Sequence, residues 1–442
     1  MTEINDLFRQ KLDALERAHA TNGSSWLLRA RREAFGRFEA RGFPSLREEA
    51  WKYTDVAPLA RIPFRRAEPV EVRLDEIEKL LLLDPKEIRL VFIDGRFDPA
   101  LSSMSELPSG VRVENLESTL HSGDGVLRDE LGCHLGELRT HPFAELNTAV
   151  SDDGLLVVVP RGVVVEAPIH AIFVTTDQAE PTASHPRSLI LVEEDASATI
   201  IEEYVSFGEG PRFTNPVLEC RVGDGGALDH YRVVREGEGT FHISAIGGTI
   251  ARDAKLRSFS FVFGGRLVRN DVEVRFVGEN GEATLNGLAV AGGERHVDNH
   301  TRIVHSEPHC RSWEVYKTIL ADRATGVFNG QIYVDPKAQK TDAKQTNQSL
   351  LLSRDATMNS KPELEIYADD VRCTHGATIG QLEEEALFYL RSRGLGLEDA
   401  RNLLILAFAS DIVADVRVRV LEERLKSEIF AQLSKEVLAG AS

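Results

Sequence analysis

A weak internal repeat is the feature of this sequence that most restricts its fold. In the middle of the chain a polar turn residue followed by a small one precedes each new apolar run, at Asp195-Ala196, Asp224-Gly225, Asp253-Ala254 and Asn280-Gly281. Successive turns begin 29, 29 and 27 residues apart. Similar pairs return after a wider step, which indicates an insertion, at Arg323-Ala324 and Asp355-Ala356. A near-constant period of this size predicts a stacked supersecondary unit, because a single unit cannot bury its own apolar face.

Three strand-built architectures could produce this repeat. Valine-rich runs between Leu155 and Val174, punctuated by proline and glycine, are typical of strands buried in a stacked core. A propeller needs about forty residues per blade, and a sandwich is not expected to repeat. A parallel β-helix, with rungs approaching about thirty residues, therefore fits best.

The hydrophobic pattern becomes helical at both ends of the chain. Apolar residues at three- and four-residue steps predict a first amphipathic helix, at Ile4, Leu7, Phe8, Leu12 and Leu15. A last helix is predicted from apolar residues at four-residue steps, at Leu421, Leu425, Ile429, Leu433 and Val437. We predict an N-terminal helical domain over 1–85, a mainly β core over 86–380 with a helical insertion at 124–149, and a C-terminal helical domain over 381–442.

Composition favours a cytoplasmic protein that binds neither nucleic acid nor membrane. With 52 Lys and Arg against 70 Asp and Glu, the net charge of −18 opposes attraction to phosphate or anionic lipid. No run of about twenty apolar residues could span a bilayer, and Met1 to Glu16 lacks the apolar stretch of a signal peptide. The cysteines lie far apart without a Cys-x-x-Cys pair, as expected of reduced thiols, at Cys133, Cys220, Cys310 and Cys373.

Several reaction classes are excluded by motifs that the sequence lacks. It contains no Gly-Lys dipeptide, so the Gly-x-x-x-x-Gly-Lys-Ser/Thr phosphate-binding loop is absent. A His-Glu-x-x-His helix, a Gly-x-Ser-x-Gly elbow and a Rossmann glycine fingerprint are also missing. The chain therefore cannot hydrolyse ATP through such a phosphate-binding loop. If it takes part in an ATP-driven process, a partner must supply the nucleotide site.

A cluster of histidines resembles a metal site at first sight. Five potential ligands fall within fifteen residues, at His296, His300, His305, His309 and Cys310. On an extended strand, however, residues four apart are separated by about 13 Å, whereas metal ligands lie about 2 Å from a shared ion. We therefore favour hydrogen-bonded structural histidines over a metal site, and the sequence leaves the role of these residues open.

A second constellation is the segment Cys373-Thr374-His375-Gly376. On a strand, Cys373 and His375 point to the same face about 7 Å apart, and thiolate and imidazole are ligands that favour iron and iron–sulfur centres. Two ligands are too few for a cluster, which usually takes four. A cluster here would be shared with another chain or held transiently. The alternative is a buried thiol beside a hydrogen-bonded histidine.

Two apolar features have plain structural interpretations. Trp51 and Tyr53 follow the first helices and are expected to pack the helical domain onto the first rung rather than to stack on a ligand. The apolar stripe of the last helix is expected to be core, although it is regular enough to offer a docking surface.

A set of motifs, most of them in the second half of the chain, carries a family resemblance. The stretches are Lys361 to Thr378, Leu387 to Leu390, Arg393-Gly394, His296 to His300, Pro308 to Ser312, Phe328 to Gly330 and Gln345 to Gln348. Together they resemble the SufB/SufD family of iron–sulfur cluster assembly proteins, over most of residues 150–430. Pro44 followed by Glu49 to Thr54 resembles the SufD branch, and the cysteine-rich N-terminal motif frequent in SufB is missing.

The resemblance implies a fold, partners and a site. The fold is a right-handed parallel β-helix between N-terminal and C-terminal helical domains, in agreement with the repeat. In this family a SufD-type chain pairs with its paralogue SufB through the β-helix, and its C-terminal helical region binds the ABC-type ATPase SufC. A cysteine desulfurase system delivers the sulfur. Cys373 and His375 match the family's Cys-x-His positions near the interface, where a transient cluster or its iron would be shared.

We therefore predict a non-catalytic scaffold subunit for cluster assembly and transfer, with Cys373 and His375 as cluster and metal ligands. No cofactor is expected to bind tightly to this chain alone. One alternative is a SufB-type subunit that receives persulfide. Another is a β-helix enzyme acting on polysaccharide, which would need paired catalytic carboxylates. The sequence does not predict the cluster type, a flavin, the order of iron and sulfur arrival, or whether the chain alone forms a homodimer.

Overall fold

Parallel strands dominate the chain and stack into one long β-helix. The computed structural model describes residues 3–19, 25–83, 88–122 and 125–439. Within these ranges the strands are β1 (Ile88–Ile93), β2 (Arg96–Met104), β3 (Arg112–Asn115), β4 (Leu155–Val159), β5 (Ile169–Thr175), β6 (Thr182–Ser184), β7 (Arg187–Val192), β8 (Ser197–Ser206), β9 (Arg212–Thr214), β10 (Val217–Val222), β11 (Ala227–Arg235), β12 (Thr240–Ile250), β13 (Lys255–Val262), β14 (Leu267–Phe276), β15 (Glu282–Ala291), β16 (His296–His305), β17 (Arg311–Leu320), β18 (Thr325–Val334), β19 (Asp342–Leu351), β20 (Thr357–Ile366) and β21 (Arg372–Gly380).

Helices precede, interrupt and follow the strands. The α-helices in the same ranges are α1 (Glu3–His19), α2 (Ser25–Arg41), α3 (Ala57–Ala60), α4 (Leu74–Leu80), α5 (Leu116–Ser122), α6 (Val126–Glu130), α7 (Pro142–Val150), α8 (Glu384–Ser392), α9 (Leu397–Ala414) and α10 (Arg419–Ala439). Short 3₁₀ helices occupy Glu49–Trp51 and Gly136–Thr140. The predicted helical insertion therefore lies between β3 and β4, as α6, the second 3₁₀ helix and α7.

The strands form two sheets that enclose the core. One sheet has the order β2-β1-β5-β8-β11-β13-β15-β17-β19-β21, and the other has the order β20-β18-β16-β14-β12-β10-β7-β4-β3. From β10 onward, consecutive strands alternate between the two sheets, so each pair completes one turn of a solenoid of about eight turns. The predicted parallel β-helix is confirmed. Its inward rows are rich in Val, Ile, Leu and Phe, which suit a pleated surface buried on one side.

The repeating turns form one column along a corner of the β-helix. Positive φ angles recur there at Asp195, Gly225, Asp253, Asn280, His309 and Lys340. Each turn donates a backbone N–H to the next turn of the column, as from His309 to the carbonyl of Gln339. The predicted insertion after Asn280 is wrong, because His309 and Lys340 follow at steps of 29 and 31 residues. Arg323-Ala324 instead belongs to another corner, where Arg323 N–H bonds the carbonyl of Gly293.

Both groups of helices share apolar clusters with the β-helix. In α1 the predicted stripe buries Phe8, Leu12 and Leu15, and Phe8 and Leu12 join a cluster reaching β9 and β12. The side chain of Ile4 lies outside the described residues. The stripe of α10 packs on the sheet that contains β11, β13 and β17, and it is core as expected: Leu421, Leu425 and Ile429. The side chains of Leu433 and Val437 lie outside the described residues. No helix within the described ranges is long and apolar enough to cross a membrane.

Candidate functional site

The β-helix is open at the end formed by β20 and β21, which are the last strands of their sheets. Every residue of these two strands is exposed or half-buried, whereas most residues of β18 and many of β19, one turn below, are buried. A terminal rung has no strand beyond it, so one row of its backbone N–H and C=O groups is left for another chain to pair with. This end of the molecule therefore presents both an uncovered core layer and two unpaired strand edges.

The register of the last rung places the two predicted ligands on the same side. In the pairing of β19 with β21, Cys373 lies beside Ala343 and His375 beside Gln345. Ala343 and Gln345 are fully buried and face the core. Because side chains alternate along a strand, Cys373 and His375 both lie on the core-facing side, about 7 Å apart along the strand. Their sequence spacing predicted this shared face.

The two residues differ in their surroundings. Cys373 is half-buried against a small apolar cluster that includes Ile332 and Val334, and burial raises the pKa of its thiol, with the carboxylate of Asp342 acting in the same direction. The imidazole of His375 is exposed and makes no hydrogen bond in the part of the chain that the structure describes. In the isolated chain the histidine is therefore the more available metal donor.

This pair of donors is incomplete by itself. Among the described residues, no group of three or more His, Cys, Asp or Glu side chains is arranged to hold a metal ion. An iron–sulfur cluster usually takes four protein ligands. Any cluster held by Cys373 and His375 must take its remaining ligands from a second molecule.

A buried carboxyl lies two rungs below His375 in the same column. Glu314 is 1% exposed, and Gln345 in the rung between them donates from Nε2 to Glu314 Oε2 at 2.8 Å. Burial raises the pKa of Glu314 to about 7, although the polar groups of Thr301 and Gln345 oppose the shift. Sequence reasoning missed this residue, since nothing in its neighbourhood along the chain marks it as an unpaired acid.

The raised pKa makes the stability of the chain depend on pH. A carboxyl with a folded pKa above its unfolded value keeps its proton longer in the native state, so the unfolding free energy falls as pH rises between about 4.5 and 7. At pH 8 the raised pKa of Glu314 lowers the unfolding free energy by about 3 kcal/mol. We expect Glu314→Gln to remove this decline, and urea unfolding of both proteins at pH 5.5 and pH 8 measures it. Equal pH dependence in the two proteins would show that Glu314 is not the titrating group.

The histidines of β16 each have a separate partner. His296 Nε2 lies 2.9 Å from Thr54 Oγ1, and His300 Nε2 lies 3.0 Å from Asp298 Oδ1. Burial lowers the pKa of His296, against the attraction of the Asp298 carboxylate. The imidazole of His296 is thus held by a hydrogen bond and that of His300 lies against the Asp298 carboxylate, on a polar row of the sheet.

The other members of the histidine cluster are dispersed. His305 is buried, its Nε2 lies 2.9 Å from Ser312 Oγ, and burial lowers its pKa to about 3. His309 occupies the left-handed position of its turn with a φ of 62°. Cys310 donates its thiol to the carbonyl of Gly278, and burial raises its pKa to about 11. These contacts agree with the structural interpretation of the cluster.

A charged network joins the N-terminal segment to the β-helix. Trp51 is buried, and the guanidinium of Arg269 on β14 lies 3.7 Å from its ring centroid. Arg269 donates at 2.8 Å to both Asp271 and Asp298. Burial alone would raise the pKa of Asp298, but the charges of His300 and Arg269 outweigh it and lower the pKa to about 2. Trp51 therefore packs on the β-helix as expected, but on a middle rung and not the first.

Two family models match the chain and together cover nearly all of it. The model described as SUF system FeS cluster assembly, SufBD core domain, matches residues 173–408. The model described as SufBD protein N-terminal region matches residues 1–171. The core-domain match includes the open end and both predicted ligands.

Individual relatives agree with these matches over most of their lengths. An iron–sulfur cluster assembly SufBD family protein of Synechocystis is 33% identical over 438 residues, covering 96% of this chain and 95% of the relative. The iron–sulfur cluster assembly protein SufD of Escherichia coli is 33% identical over 403 residues, covering 90% of each chain. SufD of Bacillus subtilis is 25% identical over 394 residues, covering 86% of this chain and 87% of the relative.

Proposed function

This chain belongs to the SufBD family of iron–sulfur cluster assembly proteins, and from that membership we propose that it is a SufD-type, non-catalytic scaffold subunit of the cytoplasm. On it, clusters are assembled and then passed to acceptor proteins. The observation that carries the proposal is the uncovered last rung, which places a half-buried Cys373 and an exposed His375 on the same side of β21. A thiol and an imidazole are suitable iron ligands, but two ligands are fewer than the four that a cluster usually takes. At an open end of the protein, a partner can supply the others.

The partner at the open end is a homologous β-helix of the SufB type. Large apolar side chains are exposed around this end, among them Ile366, Tyr367 and Ile379. A second β-helix with its own open end would cover these side chains and pair with the two free strand edges. When no paralogue is present, a second copy of this chain would occupy the same surface and form a homodimer.

The cargo is an iron–sulfur cluster or its iron, shared transiently across this interface. The imidazole of His375 binds iron in its neutral form without further activation. The thiol of Cys373 must lose its proton first, and its raised pKa opposes this in the isolated chain. Metal binding favours the thiolate, so Cys373 becomes a ligand only when the metal is already held by other groups.

The energy source is an ABC-type ATPase of the SufC kind, which docks on the C-terminal helices. Large apolar side chains of α8 and α9 are exposed to solvent, including Phe388 at 76% exposure, Tyr389, Leu397 and Leu403. A large exposed apolar surface rimmed by charge is typical of a protein–protein contact. The buried faces of α9 and α10 are not available for this contact, because they form a common core with the β-helix.

The cysteines favour a scaffold over a subunit that receives persulfide. Burial raises the pKa of Cys220 to about 12, and it also raises the pKa values of the thiols of Cys133, Cys310 and Cys373. The thiolate is the nucleophile in sulfur transfer. These thiols are therefore poor acceptors of sulfur in the isolated chain.

Replacing His375 by asparagine tests the ligand role. We expect the His375→Asn chain, co-expressed with its SufB-type and SufC-type partners, to form the complex but to retain at least about tenfold less cluster iron and sulfide, because mutation of a metal-site residue commonly costs this much. Iron and sulfide are quantified after anaerobic purification. His309→Asn, the same change at an exposed turn, is the matched control and should retain full cluster.

Two results would contradict this role. A full cluster content in the His375→Asn complex would show that the imidazole is not a ligand. Loss of the complex itself, with normal assembly of the His309→Asn control, would assign His375 a structural role at the interface instead.

A further inference from the structure

Three polar side chains form a single column that leads from the core to the open end. The parallel register aligns Glu314 of β17 with Gln345 of β19, and Gln345 with His375 of β21. Adjacent strands of a sheet lie about 4.8 Å apart, so side chains in register stack directly on one another. Gln345 thus lies between a buried acid and the exposed imidazole.

The acid at the bottom of the column lacks a counter-charge. Several other buried carboxylates of the β-helix are paired with arginines, as Glu202 is with Arg232 at 2.6 Å and Asp298 is with Arg269 at 2.8 Å. Glu314 has no such ion pair with any described residue, and its polar neighbours are the amide of Gln345 and the hydroxyl of Thr301. A buried carboxyl without a cation is costly, and removing it would improve stability. We therefore look for a role of Glu314 other than stabilising the fold.

The hydrogen bond to Glu314 determines which way the amide of Gln345 points. Since Nε2 donates to Glu314, the amide oxygen Oε1 is the group left to accept another hydrogen bond, and Oε1 has no hydrogen-bond partner among the described residues. The next side chain of the column beyond Gln345 is that of His375. Gly330 on the facing sheet makes room for the amide, because a Cβ there would lie 2.2 Å from Gln345 Nε2.

We propose that Glu314 and Gln345 are positioning residues for His375, the amide oxygen of Gln345 accepting the N–H of one ring nitrogen so that the other ring nitrogen stays free for iron. This inference rests on the proposed ligand role of His375. Histidines that bind metals usually donate their second ring N–H to a carbonyl or carboxylate, which selects the tautomer and orients the ring. Glu314 acts indirectly: it accepts a hydrogen bond from the amide nitrogen of Gln345 and so keeps the amide oxygen of Gln345 available to His375.

The test compares cobalt(II) affinity of the intact complex across five versions of this chain. Wild type is compared with His375→Asn, Gln345→Leu, Glu314→Leu and Glu314→Gln, each co-purified with its partners in the apo form. We expect Gln345→Leu and Glu314→Leu to weaken cobalt(II) binding by about 10-fold to 100-fold, the usual effect of losing an outer-sphere partner. Glu314→Gln keeps an acceptor for the amide of Gln345, so its affinity should stay within about threefold of wild type.

The outcomes separate this inference from the proposed function. Wild-type affinity in Gln345→Leu together with loss in His375→Asn would overturn the positioning role and leave His375 as a ligand. Wild-type affinity in His375→Asn would overturn both. Equal loss in Glu314→Gln and Glu314→Leu would also contradict the inference, because it would assign the effect to the charge of Glu314 and not to the orientation of the amide. Urea unfolding of each chain checks that weaker binding does not follow from unfolding.

Discussion

Replacement of Ile379 by lysine is expected to abolish pairing of the chain through its open end. Ile379 lies on the core-facing side of β21, in register with the buried Ser349, and it is 49% exposed. In the proposed pairing this position becomes part of a continuous core. Burying an unpaired ammonium group costs several kcal/mol, and about 3 kcal/mol already corresponds to more than about a hundredfold loss of affinity.

Sedimentation of the chain alone and co-purification with a SufB-type partner both measure this loss. Val164→Lys is the matched control, because Val164 is 57% exposed and lies near the opposite end of the β-helix, bridged to Ser197. The control should pair like wild type. If Ile379→Lys still pairs with wild-type affinity, the open end is not the interface and the shared site at Cys373 and His375 loses its basis.

Replacement of Arg269 by methionine is expected to cause a large loss of stability. Arg269 is 1% exposed and holds the carboxylates of Asp271 and Asp298 while lying on the ring of Trp51. Methionine fills a similar volume but leaves two buried carboxylates without their cation. Breaking a buried ion pair from one side costs about 3–5 kcal/mol. Urea unfolding followed by circular dichroism measures the change.

Arg252→Met is the control for this substitution. Arg252 is paired with Asp224 at 3.2 Å, but its side chain is 63% exposed. An exposed ion pair contributes little, so we expect this change to stay within about 0.5 kcal/mol of wild type. Similar losses in Arg252→Met and Arg269→Met would show that the buried network under Trp51 does not hold the N-terminal segment in place.

The β-helix was predictable because its signals are local. Polar residues in left-handed turns and apolar runs at a constant period indicated the stacked rungs from Asp195 to Asn280. The signal disappeared at His309 and Lys340, which adopt the same turn although neither residue is Asp, Asn or Gly. The period could be followed across them only when the register of the strands was known.

The shared face of Cys373 and His375 was likewise predictable from the alternation of side chains along a strand. Their exposure was not. In any earlier rung the same two positions would be buried, as Ala343 and Gln345 are one turn below. Which rung is the last depends on where the helices take over from the strands, and α8 leaves the open end uncovered at Cys373 and His375.

By itself, the sequence determined the repeating strands, the helices at both ends and a pair of metal donors on one side of a strand, because period and alternation are properties of neighbouring residues. Only the tertiary structure decided that Arg269 binds beneath Trp51, that Glu314 lacks a counter-charge and that His375 lies at an open end. Burial and charge pairing depend on groups brought together from distant parts of the chain, and no local pattern encodes those distances.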